Sequence, residues 1–256
     1  MATLPFDVAA RLSSGRSEIA RRMALAREAQ PAEAVRPSLR LLAGEASWLA
    51  QPLLRRFRHT EAYAARRPRT VILFPGFCAH PLHMRNLRRN LEAAGHRVHC
   101  WGLGINTGAR ADILEAMERR VLAIAEGDAE PAVLIGWSLG GLFARETAKR
   151  QPQRVAKVVT MGSPFSGHPR ANNAWRLYHL VTGHRVEEPP IECVLHEKPP
   201  VETVALWSAR DGVVSPRSAR GRAGERDRTI ALRCTHMGFV HDPRAITAVL
   251  KELDSD

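Results

Sequence analysis

The chain has 256 residues, of which 45% are hydrophobic and 25% charged, and a formal net charge of +12. That composition suits one large α/β domain or two small ones with a sizeable core, and excludes a disordered or low-complexity chain. No run approaches the roughly 18 apolar residues of a membrane span, and Arg11, Arg16, Arg21 and Arg22 interrupt the N-terminus before an apolar signal core forms.

The positive charge is mostly arginine, scattered among acidic residues. Without a basic run or an RNA-binding aromatic motif, the pattern points to an arginine-biased surface and to no nucleic-acid partner. It also favours approach to anionic interfaces. Cys78, Cys100, Cys193 and Cys234 are widely spaced, which argues for free thiols, against a metal site and for a cytoplasmic location. No cofactor is expected, and the oligomeric state is open.

In chain order, residues 1–67 form an alanine- and arginine-rich helical extension broken at Pro31, Pro37 and Pro52. Ser17–Gln30 reads as a helix capped by Ser17, with Ile19, Met23 and Ala26 on one face. Leu39, Leu42, Ala46, Leu49, Leu53 and Leu54 make a second stripe. The extension is expected to pack on the main domain; the alternative is an arm lying on an anionic membrane surface.

From Arg69 strands and helices alternate. Strands are expected at Thr70–Phe74, His96–Trp101, Ala132–Trp137, Val155–Met161, Thr203–Ser208 and Arg228–Arg233. Helices are expected at His80–Ala94, Arg110–Glu126, Leu139–Arg150, Asn172–Val181 and Pro243–Leu253. Apolar strands alternating with helices imply a mostly parallel central sheet with helices on both faces. The proline-rich stretch at about 164–200 interrupts that rhythm and reads as a small helical cap or lid.

Within A-V-L-I-G-W-S-L-G-G, Ser138 sits between an apolar strand and a helix, and Gly136-x-Ser138-x-Gly140 is the spacing of a nucleophile elbow. Small flanking residues let strand and helix approach, and the helix start aims N–H groups at a developing anion. A serine hydroxyl needs a base. Asp211 follows the Thr203–Ser208 strand and His236 follows the Arg228–Arg233 strand, giving the order Ser, Asp, His. Asp227 and Asp242 are the fallback acids, and His168, His179, His184, His196 and His241 the competing bases. Leu139 N–H and Phe77 N–H are the expected oxyanion donors, with Cys78 N–H as second choice to Phe77. Phe165, Trp175, Tyr178, Met237 and Phe239 are candidates for the acyl pocket.

The motifs V-I-L-F-P-G-F, W-G-L-G-I-N-T-G, G-W-S-L-G-G, V-V-T-M-G-S-P-F-S-G, W-S-A-R-D-G-V-V and T-H-M-G-F-V-H-D-P together resemble the lipase/esterase branch of the α/β-hydrolase superfamily, from Arg69 to the C-terminus. Pro75-Gly76 stands where members often have His-Gly, and the lid matches no pattern. The resemblance implies a carboxylic ester hydrolase that turns over a small-molecule or lipid-like ester through an acyl-enzyme. The same triad serves acyltransferases, thioesterases and amidases, and the fold also occurs in non-enzymatic interaction proteins.

Overall fold

The structure, a computed structural model, describes residues 6–50, 63–127 and 130–255. Six strands form its sheet: β1 (Thr70–Phe74), β2 (Arg97–Cys100), β3 (Ala132–Trp137), β4 (Val155–Met161), β5 (Glu202–Ser208) and β6 (Arg228–Leu232). Their order is β2-β1-β3-β4-β5-β6, and every neighbouring pair is parallel. Every residue of β1 and β3 is buried. Strands covered on both faces lose the apolar–polar alternation and become continuous apolar runs.

The two faces nonetheless sort by a period of two. Val71, Leu73, Val133, Ile135 and Val159 face one core with Leu87, Leu91, Ile246 and Leu250. Ile72, Leu134 and Val158 face the other with Met117, Val121 and Phe143. The helices behind these contacts are α3 (Arg85–Ala93) and α8 (Pro243–Leu253) on the first face, and α4 (Ile113–Ala125) and α5 (Leu139–Arg150) on the second. The predicted helix from His80 is divided: Pro81 opens a 3-10 turn, Pro81–Met84, and α3 follows.

The N-terminal segment departs from expectation. Helix α1 runs Phe6–Ala26, so Ser17 lies inside it rather than at its cap. The alanine- and arginine-rich sequence is a good helix former on both sides of that serine, and propensity over the long run outweighs one capping residue. Ile19 and Met23 are exposed instead of forming a core face. Helix α1 docks through its arginines. Arg21 donates to Gly183 O at 2.7 Å and Arg22 to Val181 O at 2.6 Å. These carbonyls end helix α6 (Trp175–Thr182) of the 164–200 insertion, where unpaired acceptors and the helix dipole favour cations.

The short helix α2 (Leu39–Gly44) follows, capped by Ser38, and leads into a 3-10 turn, Glu45–Ala50. Leu39 is exposed, and Leu53 and Leu54 lie outside the described residues.

The insertion is fastened to this segment. Arg170 pairs with Glu28 and Glu187 and lies over the Trp175 ring at 4.7 Å. Trp175 Nε1 donates to Gln30 Oε1 at 2.7 Å, and Arg176 donates to the carbonyls of Ala26 and Glu28. A small helix unmarked in the sequence, α7 (Pro216–Arg220), follows the β5 loop. Among the described residues no helix is long and apolar enough to cross a membrane.

Candidate active site

In the order β2-β1-β3 the chain steps outward from β1 to β2 and then crosses back to β3. Ligands of open α/β sheets bind beyond the carboxyl ends of strands at such a reversal. Ser138 stands there, directly after β3, at φ +55° and ψ −125°. A non-glycine residue in that region carries strain and is held by its surroundings. Ser138 N–H donates to Met161 O at 2.9 Å, and Gly141 N–H to Ser138 O at 3.0 Å. Two glycines make the turn feasible. A Cβ on Gly140 would lie 2.2 Å from Phe74 O, and one on Gly136 would lie 2.3 Å from Gly141 Cα. Strand, elbow and helix therefore touch backbone to backbone.

Asp211 and His236 meet as their positions after β5 and β6 predict. His236 Nδ1 donates to Asp211 Oδ2 at 2.8 Å, with both residues buried. Asp211 Oδ1 accepts the Val213 and Val214 amides, each at 2.8 Å, which fixes the carboxylate. With Nδ1 donating, Nε2 is left as the acceptor face of the neutral ring. Burial alone would push the His236 pKa down, but the Asp211 charge and hydrogen bond, with Glu45 adding to them, raise it above the ordinary imidazole value.

Trp137, the residue before the serine, donates from Nε1 to His236 O at 3.1 Å, and the two rings lie 5.6 Å apart. The histidine is thus tethered to the elbow. Among the described residues no hydrogen bond joins Ser138 Oγ to His236. Catalytic contacts of this kind are commonly loose before substrate binds.

Asp227, Asp242, His168, His179 and His184 are engaged elsewhere. Asp227 accepts from Lys198 and from Thr203 N–H, at the opposite end of β5, and Asp242 caps α8. His179 and His184 bond backbone carbonyls of Leu25 and Ala109. His168 faces Glu33 at 3.7 Å, and the backbone carbonyl of His196 accepts from Arg145.

Among the described residues neither Phe77 N–H nor Leu139 N–H meets a protein acceptor, and both residues line the same cavity as Ser138. Cys78 N–H is taken: it donates to Asn106 O at 2.7 Å. Asn106 is a residue that sequence reasoning missed. Fully buried, it donates from its side chain to Pro75 O at 2.7 Å and accepts Gly108 N–H at 3.1 Å. It clamps the loop that carries Phe77. Its only signal in the sequence is a lone asparagine in the glycine-rich G-L-G-I-N-T-G.

The cavity at Ser138 has a volume of about 80 Å³ and is walled by apolar groups, including Leu142, Trp175, Tyr178, Ile191 and Val214. The insertion supplies one side. Tyr178 also receives the Ala109 amide on its hydroxyl at 3.3 Å, and its ring stands 5.2 Å from that of Phe77. Burial pushes its phenol up to about 12. Glu146, Asn172 and Cys193 are among the polar groups in the wall, and burial raises the pKa of Glu146 and of Cys193.

Three of the aromatic and sulfur candidates lie outside this lining. Phe165 is buried under the Arg145 guanidinium, 4.2 Å from its ring centroid. Phe239 is buried in the core beneath the histidine loop and meets the His236 ring edge-on, at 6.2 Å. Met237 packs against that same core. Each is near the site in sequence, but its backbone turns the side chain inward. All four cysteines are free, and only Cys234 is fully buried.

The family model for the alpha/beta hydrolase fold matches residues 69–180. A carboxylesterase from Bacillus subtilis shares 15% identity and superposes with a TM-score of 0.52, covering 83% of this chain and 99% of that one. A pyrethroid hydrolase shares 17% identity with a TM-score of 0.53, over 74% and 98% of the two chains. This chain therefore has the α/β-hydrolase fold.

Among curated relatives, a pimeloyl-[acyl-carrier protein] methyl ester esterase of Klebsiella pneumoniae is 46% identical over 68 residues, 27% of this chain and 25% of its own length. The biotin biosynthesis bifunctional protein of Teredinibacter turnerae is 29% identical over 119 residues, 44% of this chain and 20% of its own. The chain thus spans about a quarter or less of the length of these relatives.

Proposed function

We propose that the protein hydrolyses carboxylic esters by acyl transfer through Ser138, His236 and Asp211. The observation that carries this reading is the Asp211–His236 hydrogen bond of 2.8 Å beside a serine strained at φ +55°. A strained serine, a correctly tautomerised base and an apolar cavity at one strand reversal have no joint structural purpose.

Ser138 Oγ attacks the ester carbonyl while His236 Nε2 takes its proton. Asp211 stabilises the imidazolium that results. The Phe77 and Leu139 amides receive the oxyanion, and each such donor is worth about 3 kcal/mol in the transition state. His236 then protonates the leaving alcohol. Water enters, loses a proton to His236 and attacks the acyl-enzyme; the intermediate then breaks its bond to Ser138 Oγ, which takes the proton back from His236 as the acid leaves. The triad supplies nucleophile and base from side chains, so the steps need no cofactor.

The narrow apolar cavity suits a linear acyl chain, with the insertion as its outer wall. The relatives named as methyl ester esterases favour ester cleavage over transfer to a second acceptor. The test is Ser138→Ala assayed with p-nitrophenyl esters from acetate to decanoate. Turnover and fluorophosphonate labelling are expected to vanish, with the circular dichroism spectrum unchanged. Undiminished turnover in that variant removes Ser138 as nucleophile.

A further inference from the structure

Residue Glu45, in the N-terminal segment outside the sheet, is buried although nothing in its sequence surroundings marks it as a core position. Its carboxylate accepts three backbone amides. Oε1 takes Gly212 N–H at 2.8 Å and His236 N–H at 2.7 Å, and Oε2 takes Met237 N–H at 3.0 Å. One amide belongs to the loop after Asp211 and two belong to the histidine loop. The three bonds span 167, 191 and 192 positions of chain.

The neighbouring backbone fits the same contact. A Cβ on Gly212 would lie 2.3 Å from Leu41 O, so the glycine is what lets α2 lie against the acid loop. Asn173, at the start of the insertion, donates to both Pro37 O at 3.1 Å and Gly212 O at 2.8 Å. The N-terminal segment thus reaches the acid loop from two directions.

We propose that Glu45 is a positioning residue for the reaction: it binds the acid loop to the histidine loop and holds a second negative charge at His236. The inference rests on the reading of His236 as the general base. A buried carboxylate is costly unless its lone pairs are filled, and here three amides fill them. The result is one rigid unit in which the Asp211–His236 distance cannot relax without breaking a charge-assisted bond. Displacing a catalytic group by about 1 Å costs about a hundredfold in rate.

Among the described residues, these groups contact His236. Asp211 lies at Nδ1, Glu45 at the backbone N–H, the Trp137 indole at the carbonyl and Phe239 edge-on to the ring. The next charged pair along the chain, Asp242 and Arg244, is mutually bonded. Glu45 and Asp211 both stabilise imidazolium, so loss of the Glu45 charge lowers the His236 pKa and moves the acid limb of kcat/KM to lower pH.

The experiment uses the full chain and compares wild type with Glu45→Gln and Glu45→Ala. Glutamine keeps the shape and one acceptor but loses the charge. Its kcat on the plateau is expected to fall about tenfold and that of alanine about a hundredfold, with KM within about twofold of wild type in both. In histidine-labelled NMR, the His236 titration midpoint is expected to move down in Glu45→Gln. Hydrogen exchange of the Gly212, His236 and Met237 amides in wild type gives a readout that needs no variant to fold; all three are expected to be strongly and jointly protected.

Wild-type kcat together with an unmoved His236 titration in Glu45→Gln overturns the proposal, as does rapid exchange of the three amides in wild type. The two readings fail separately. An inactive wild type whose His236 titration still responds to Glu45→Gln defeats the esterase assignment alone. An active wild type indifferent to Glu45 defeats the positioning role alone.

Discussion

Asp211 is held by three bonds, two from backbone amides and one from His236, so its replacement by asparagine would preserve shape while changing which ring nitrogen carries the proton. An asparagine can present N–H to Nδ1, and the ring then offers a protonated Nε2 to the serine. The expected result for Asp211→Asn is a kcat loss of about 10⁴-fold at neutral pH with KM nearly unchanged. Steady-state kinetics on a p-nitrophenyl ester check it, and a loss under tenfold would show that another group orients the histidine.

The wild-type pH profile follows from the same residue. His236 must be neutral to accept the proton, and its pKa is raised. The fall of kcat/KM on the acid side should therefore be centred above the ordinary imidazole value of about 6.5. Removing the Asp211 charge should move that limb to lower pH while depressing the plateau. A limb centred below the ordinary value in wild type would contradict the arrangement of charges around the ring.

At the level of elements, the sheet was legible and the N-terminal fastening was not, for distinct physical reasons. Ala132–Trp137 is a strand with the bounds its apolar run suggests, because burial on both faces leaves no polar interruption until the strand ends; Val155–Met161 also keeps its expected bounds, its one buried charge, Lys157, being paired with Glu202 and Glu252. Asp211 and His236 could be picked out because each follows a strand end, which punctuation reveals; the structure adds the 2.8 Å bond between them. Helix α1 and Glu45 act through partners that leave no pattern. Arg21 and Arg22 bond main-chain carbonyls, and Glu45 bonds main-chain amides. A backbone partner has no residue type to recognise.

Phe165 and Phe239 mark the opposite failure. Phe165's place in the apolar insertion and Phe239's place beside the histidine suggested a pocket role, but which way a loop turns its side chain is set by contacts that sequence position does not encode. The fastening of the 164–200 insertion makes a prediction at this scale. Arg170 is buried, is paired with Glu28 and Glu187 and lies over Trp175. Arg170→Ala takes the arginine from Glu187, leaves Glu28 to Arg185 alone, and removes the aromatic contact. It should lower unfolding free energy by about 2 kcal/mol, read as a reduced urea midpoint. Limited proteolysis should then cut first within 164–200. An unchanged midpoint would show that the pairs are solvated in solution.

Across the whole molecule, the N-terminal segment is continuous with the site at two remote points. Helix α1 holds the end of α6, above the cavity, and the turn at Glu45 holds both the Asp211 loop and the His236 loop. Two halves of the site that the sheet alone does not connect are thereby joined by one stretch of chain. Removing residues 1–47 would leave the amides of Gly212, His236 and Met237 without their acceptor and would uncover Trp175 and His179, whose side chains bond Gln30 and Leu25. A hydrogen bond to a charged group contributes about 1.5–3 kcal/mol net, and the truncation removes three at Glu45 together with the cover over Trp175. Several together rival the whole stability of a domain, which is about 5–15 kcal/mol. The truncated chain is therefore expected to be poorly soluble or, where soluble, to lack near-ultraviolet circular dichroism and ester turnover, although every residue of the triad is present. Full kcat from a soluble chain beginning at residue 48 would show that the sheet and its loops organise the site unaided. The segment would then be an appendage rather than part of the enzyme.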